Sequence, residues 1–203
     1  MLRRLRTALL ALALAFGAGA ATAADPESPK AVVEAYYAQL LKAMHGGAKL
    51  GYKGRYELLK PSVEKTFNVA LMAQVSVGAF WDTMTAAQRA ALIEAFRDFT
   101  IANYAHSFDD FGGEQFLTTV AKETPRRDIV VYSTLVKSDG DKVALNYLLR
   151  RDDEAHYKVI DVFLDGSVSQ LATRRSEYTS LIRQSGIDAL IAAIRKKVED
   201  LAS

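Results

Sequence analysis

Four short runs between residues 115 and 164 constrain this chain more than any other part of it. Residues 115–123, 128–137, 142–150 and 156–164 are rich in β-branched and aromatic residues, the composition of strands. Asp139-Gly140 is a strong hairpin turn between the second and third runs, and Asp152-Asp153-Glu154 makes the next turn. In the third run Val143, Leu145, Tyr147 and Leu149 alternate with Lys142, Ala144, Asn146, Leu148 and Arg150, so most of one face is apolar. The four read as an antiparallel meander, ended by Asp165-Gly166.

Helical spacing flanks this block on both sides. Ser28 and Pro29 suit an N-cap and first helical position. The helix they start repeats Val33, Tyr36, Tyr37, Leu40, Leu41 and Met44 and stops at Gly46-Gly47. A loop with Gly51 and Gly54 leads to a second helix near 55–65. Asn68 can cap a third, which Gly78 breaks. The longest helix is expected from Thr85, because Thr85-Ala86-Ala87-Gln88 fits a capping box. Leu92, Ile93, Phe96, Phe99, Tyr104 and Phe108 continue one of its faces, and Ile101 near the polar side implies cover on more than one face. Two helices near 169–184 and 187–201 close the chain. Helices, then a meander, then helices make an α+β fold, most simply one curved antiparallel sheet of about four strands with helices packed on one face.

The amino terminus suggests an address. Arg3, Arg4 and Arg6, an apolar run from Ala8 to Phe16 and small residues ending at Ala21-Thr22-Ala23 form the pattern of a cleaved secretory signal. The run is shorter than the ~20 residues that span a bilayer. Residues 1–23 are thus expected to leave, with the mature chain starting at Ala24. The whole chain carries 26 Lys+Arg and 24 Asp+Glu, and the leader holds three of the arginines and no acid, so the remainder is near neutral at −1. Such a body has no basic footprint for nucleic acid. Cysteine is absent, which excludes disulfides, thiolate catalysis and zinc–thiolate sites, so the fold must be held by its core.

Chemistry-bearing motifs are sparse. His45, His106 and His156 have no His or acid at metal-ligand spacing. There is no G-x-S-x-G elbow, Walker or dinucleotide fingerprint. No cofactor is expected. Asp161 lies in an otherwise apolar strand, where a buried carboxylate can serve as a general base, with Tyr147 as a possible hydrogen-bond partner. The alternative is an Asp161 that faces outward or pairs with Arg174 or Arg175. Arg126-Arg127 and Lys196-Lys197 read as solvated pairs or as docking points for anionic headgroups or a partner. What is plentiful is apolar and aromatic surface. Periodicity alone leaves open whether it fills a core or lines a cavity between sheet and long helix.

Two stretches carry a resemblance. One runs through Phe67-Asn68-Val69-Ala70-Leu71-Met72-Ala73, Val77-Gly78-Ala79-Phe80-Trp81, Thr85-Ala86-Ala87-Gln88-Arg89 and on from Phe96 to Tyr104. The other runs from Tyr157-Lys158-Val159-Ile160-Asp161-Val162 through Gly166, Ser169 and Arg174-Arg175-Ser176-Glu177-Tyr178 to Ser185-Gly186-Ile187-Asp188-Ala189-Leu190. Together they resemble the MlaC/toluene-tolerance family of periplasmic lipid-binding proteins. Lys53-Gly54-Arg55-Tyr56-Glu57-Leu58-Leu59 and the run from Ser167 to Tyr178 look more like its hopanoid-associated HpnM branch. Asn68 departs from the Asp usual after Phe, and it caps a helix comparably.

The resemblance implies that residues 24–203 form one lipid-binding domain enclosing an apolar pocket. It implies a non-enzymatic carrier in the periplasm that ferries a phospholipid or hopanoid between inner-membrane and outer-membrane transport complexes. Strand alternation and helix faces supply the pocket candidates Val75, Phe80, Trp81, Phe96, Phe99, Val131, Leu145, Tyr147, Leu149 and Ile160. The glycines at 46–54, 78 and 112–113 are candidate hinges. The rival readings are a small isomerase using Asp161 and a periplasmic scaffold with a solid core.

Overall fold

The computed structural model describes residues 28–203; the expected leader and its cleavage site lie outside the described residues. Helix α1 spans Pro29–Thr66, with Ser28 Oγ accepting from the Ala31 N–H at 3.2 Å. It is broken at Gly47 (φ 37°) and Gly51 (φ 62°), left-handed positions that a Cβ would strain. The stop expected at Gly46-Gly47 is thus present as a kink at which two helices meet, the second resuming beyond Gly51. Arg55 braces it. Its buried guanidinium donates from Nε to the Ala105 carbonyl at 2.8 Å and from Nη1 to the Gly47 carbonyl at 3.0 Å. These two bonds tie the break to the last turns of the third helix.

Helix α2 is Val69–Val77, capped by Asn68, and a 3₁₀ turn at Gly78–Thr83 leads to α3, Ala86–Ser107. The capping box at Thr85 and Gln88 is present in both directions. Ile101 is fully buried, because α3 is covered by α1 on one side and by α5 (Ile187–Ala202) on another. Helix α4, Gln170–Ser185, packs against α2 and α5.

Between α3 and α4 lie β1 (Gln115–Glu123), β2 (Ile129–Val136), β3 (Lys142–Arg151), β4 (Tyr157–Leu164) and β5 (Val168–Ser169), in that order across one antiparallel sheet. Where the sequence suggested a curved sheet of about four strands, there are five. The fifth is a two-residue edge, too short to show any period in the sequence. The sheet is open and uncurled, with register shifts between Thr118 and Ala121 and between Leu148 and Leu149 that leave an extra residue in β1 and, at Ile160, in β4 and bend those two strands locally.

Alternation placed Asn146 on the polar side of β3, yet it is only 6% exposed. The ladder between β2 and β3 lapses between Val131↔Tyr147 and Thr134↔Ala144. There the Ser133 N–H donates to Asn146 Oδ1 at 3.2 Å, and Asn146 Nδ2 donates to the Gly166 carbonyl at 3.2 Å. The amide thus replaces a missing backbone partner inside the sheet, which buried polar groups require.

Candidate functional site

Helix α3 presents Phe96, Phe99, Thr100, Asn103, Tyr104, Ser107 and Phe108 along one side of a cleft. Their spacing of three and four residues is that of one helical face. The sheet forms the opposite wall. Leu145 lies opposite Leu164 and Tyr147 opposite Val162 across β3 and β4, so these four side chains project from one surface. Phe67 and Met72 on the α1–α2 side, with Gln170, Leu171 and Arg174 from the first turns of α4, complete the lining. The cleft has a volume of about 290 Å³ and is open to solvent on one part of its surface.

Asp161 fixes the α4 side of this cleft. It is 8% exposed and lies opposite Leu148, one residue along β4 from the Tyr147–Val162 pair. Its Oδ1 accepts from the Leu171 N–H at 3.0 Å and the Val162 N–H at 2.7 Å, while Oδ2 accepts from Ser169 Oγ at 2.5 Å. Ser169 Oγ in turn caps α4 by accepting from the Ala172 N–H at 2.9 Å. The burial expected of Asp161 holds, and the partners expected for it do not. It does not face outward or pair with Arg174 or Arg175, and its partners are these three donors rather than Tyr147. A carboxylate set against the first turn of a helix is favourably placed toward the positive end of its dipole. The arrangement is that of an anchor between strand and helix.

On the α4 side of the cleft, the Arg174 guanidinium lies 4.5 Å from the Phe99 ring centroid. Its Nη1 is 3.3 Å from Glu177 Oε2. Lys197, on α5, places Nζ 5.9 Å from the same ring. The inner end is aromatic and phenolic. Tyr104 meets Tyr36 edge-on at 5.3 Å, and Tyr147 meets Tyr37 edge-on at 5.6 Å. The Tyr37 hydroxyl is hydrogen-bonded to Ser133 Oγ. Burial pushes the Tyr37 phenol up to about 12, against the downward pull of its hydrogen bonds to Ser133 and Tyr147. Burial, followed by the neighbouring tyrosines, raises Tyr147 well above the usual phenol value. All these hydroxyls are therefore neutral across physiological pH.

A second groove, about 720 Å³, lies between the two halves of α1 and the start of β4. Lys65, Glu154, His156 and Lys158 form part of its wall. Hydrocarbon placed there would strip water from charged groups, which is unfavourable. The smaller cleft is the better match to an apolar ligand.

Of the ten residues proposed from sequence, Phe96, Phe99, Leu145 and Tyr147 line the cleft. Val131 and Leu149 are fully buried in the core, and Ile160 is also buried. Val75, Phe80 and Trp81 pack half-buried against the core, and none of the three borders the cleft. Trp81 is covered by the Arg89 guanidinium at 5.2 Å. Sequence reasoning missed Phe67, Met72, Val162, Leu171 and Arg174 as lining residues. It also missed the polar members of the α3 face. Thr100, Asn103 and Ser107 interrupt that apolar stripe at helical spacing, and this interruption is the signal that could have found them. Among the described residues no three His, Asp or Glu side chains form a group that could hold a metal ion.

A family model described as MlaC protein matches residues 34–196. A solved structure from Ralstonia solanacearum, described as a phospholipid-binding protein in complex with a phospholipid, shares the fold with a TM-score of 0.74. That protein is 20% identical, and the alignment covers 86% of this chain and 98% of that one.

Proposed function

The chain belongs to the MlaC family, and on that premise we propose that it is a non-enzymatic carrier of phospholipid, holding the acyl part of the lipid in the cleft between α3, α4 and the sheet. The observation that carries this reading is the cleft itself: facing walls of aromatic and aliphatic side chains with their polar members along α3 and in the first turns of α4. The similar fold of a phospholipid-binding protein that holds a phospholipid supports the same ligand class.

The energetics favour a carrier of this kind. Each methylene exposed to water costs ~0.8 kcal/mol, so an acyl chain of about fifteen costs roughly 12 kcal/mol in an aqueous gap. A dry cleft removes most of that penalty. A volume of about 290 Å³ lies just below the ~300–1,000 Å³ range of ligand pockets. Loading a diacyl lipid therefore includes separation of α3 and α4 from the sheet, an opening step of the kind that gates many sites. We place the carrier in the periplasm, exchanging lipid with inner-membrane and outer-membrane complexes. Asp161 has a structural part in this scheme and no catalytic one.

Mass spectrometry of the protein purified gently from the periplasm, with organic extraction of the same sample, tests the reading. A stoichiometric phospholipid is the expected result. A hopanoid in its place would reassign the ligand to the polycyclic class. No lipid, together with no uptake from phospholipid vesicles, would overturn the carrier reading in favour of a scaffold.

A further inference from the structure

Beside Phe99 the cleft carries charge that its apolar walls do not need: Arg174 in the lining, and Lys197 next to the lining. Arg174 borders the cleft and stacks on Phe99, and Lys197 approaches the same ring from α5. Through that shared ring the two cations are no more than 10.4 Å apart, the sum of their distances to its centroid. One carboxylate answers them. Glu177 contacts a single nitrogen of Arg174 at 3.3 Å, and its side chain is 53% exposed. Lys197 has no ion-pair partner among the described residues. A guanidinium offers five N–H donors in a planar fork, so the Arg174 fork keeps donors that no described residue takes. Asn103, one turn beyond Phe99 on α3, lines the cleft with an amide that also has no partner among the described residues.

We infer that Arg174, Lys197 and Asn103 form a phosphate-binding rim, so that the cleft selects lipids bearing a phosphate ester at the glycerol end over uncharged lipids of the same chain length. This inference rests on the carrier reading for the source of the phosphate. The physical case is geometric. A planar guanidinium matches two phosphate oxygens at once, and a flexible ammonium adds a second positive charge without fixing a direction. Stacking on Phe99 restrains the Arg174 side chain, so less rotamer freedom is lost when the phosphate arrives. The fork and the hydrocarbon walls border one cleft, so a lipid whose chains occupy the walls brings its phosphate to the rim with no second binding event. An uncharged lipid would fill the same walls and leave the rim unmatched.

The test is competitive uptake from vesicles containing phosphatidylcholine, phosphatidylglycerol and diacylglycerol with identical chains, read by native mass spectrometry. Inorganic phosphate is titrated separately into the lipid-free protein. The wild type is expected to take both phospholipids over diacylglycerol by about tenfold or more, the scale of a charge-assisted hydrogen bond. The Arg174→Gln/Lys197→Gln variant is expected to lose that preference to within about twofold, read as a ratio within the same competition, while its far-ultraviolet circular dichroism and melting temperature report that it is folded. Arg174→Lys, which retains the charge and loses the fork, should fall between the two. An unchanged preference in the double variant overturns the rim. If the wild type takes up no lipid but binds inorganic phosphate, and Arg174→Gln abolishes that binding, the carrier reading fails and the rim stands as a site for free phosphate. Uptake of neither lipid nor phosphate overturns both.

Discussion

Replacing Asp161 by alanine removes one side chain and three hydrogen bonds at the junction of β4 and α4. The donors that lose their acceptor are the Val162 and Leu171 N–H groups and Ser169 Oγ. Bonds to a charged acceptor are worth ~1.5–3 kcal/mol each, but they act as one unit and the freed donors recover some solvation, so their sum overstates the loss. A loss of about 3–4 kcal/mol fits the scale of breaking a buried polar network. For a chain of this length each kcal/mol shifts the melting temperature by ~2–4 °C, which gives a fall of roughly 6–16 °C. Asp161→Asn keeps one oxygen for the two backbone donors and turns the other position into a donor facing Ser169, so its loss is smaller, about 1–2 kcal/mol. The assay is urea unfolding of both variants with the slope fitted freely, alongside thermal melts and amide hydrogen exchange at 162 and 169–174. Exchange should accelerate there before it does in β2 and β3. An alanine variant melting within about 2 °C of wild type would refute the anchor, since the smallest loss considered exceeds that shift. A fully stable Asp161→Asn protein that had lost a measurable turnover would make the carboxylate a base instead.

Other outcomes follow from the same geometry. Arg55→Met keeps most of the volume but leaves the Gly47 and Ala105 carbonyls without their donor; a loss of about 2–4 kcal/mol and faster exchange at 47–55 and 102–108 are expected. Asn103→Trp should fill the cleft from its half-buried side and abolish lipid uptake with the melting temperature within a few degrees of wild type. Tyr37 and Tyr178 titrate near 12 because of burial, with the unperturbed value at 10.0. Their neutral forms stabilise the fold fully below pH 10, and that stability is lost as pH rises through about 12, by roughly 2–3 kcal/mol for each group. Phenolate absorbance followed together with unfolding should show these two titrating late; ionisation of every tyrosine near pH 10 in the folded protein would contradict it.

Much of the fold was legible because its signals are local. Period-two runs, Asp139-Gly140 and the Thr85 capping box each specify structure within a few residues: β1 to β4 and both closing helices lie within two residues of where those signals put them, and α3 starts directly after its Thr85 cap but ends at Ser107, ahead of the stop expected at Gly112-Gly113. Asn146 was misread because alternation tells which side of a strand a residue takes, but not that Ser133 and Gly166 wait there with unpaired backbone groups. The cleft was half legible for a similar reason. Val131 and Tyr147 are register partners on one side of the sheet, yet only Tyr147 borders the cleft. Period two gives the face, and the position of α3 above it decides which residues are covered by packing and which by open space. Phe67 carries no periodic signal, since it sits between two helices and is placed by its bridge to Val159.

The meander is assembled from chain neighbours, so β1 to β5 can pair as they emerge, by short loop closures. The helical walls have a different history. Phe67, Met72 and the α3 stripe come early in the chain and meet Leu171 and Arg174 only after the whole sheet segment has been made. Helices α2 and α3 must therefore wait, with apolar faces exposed, for α4 and α5 to cover them. A chain released early would hold a finished sheet and no cleft. Competence to bind lipid is then a late event of folding, and an incomplete molecule has no opportunity to draw lipid from a membrane.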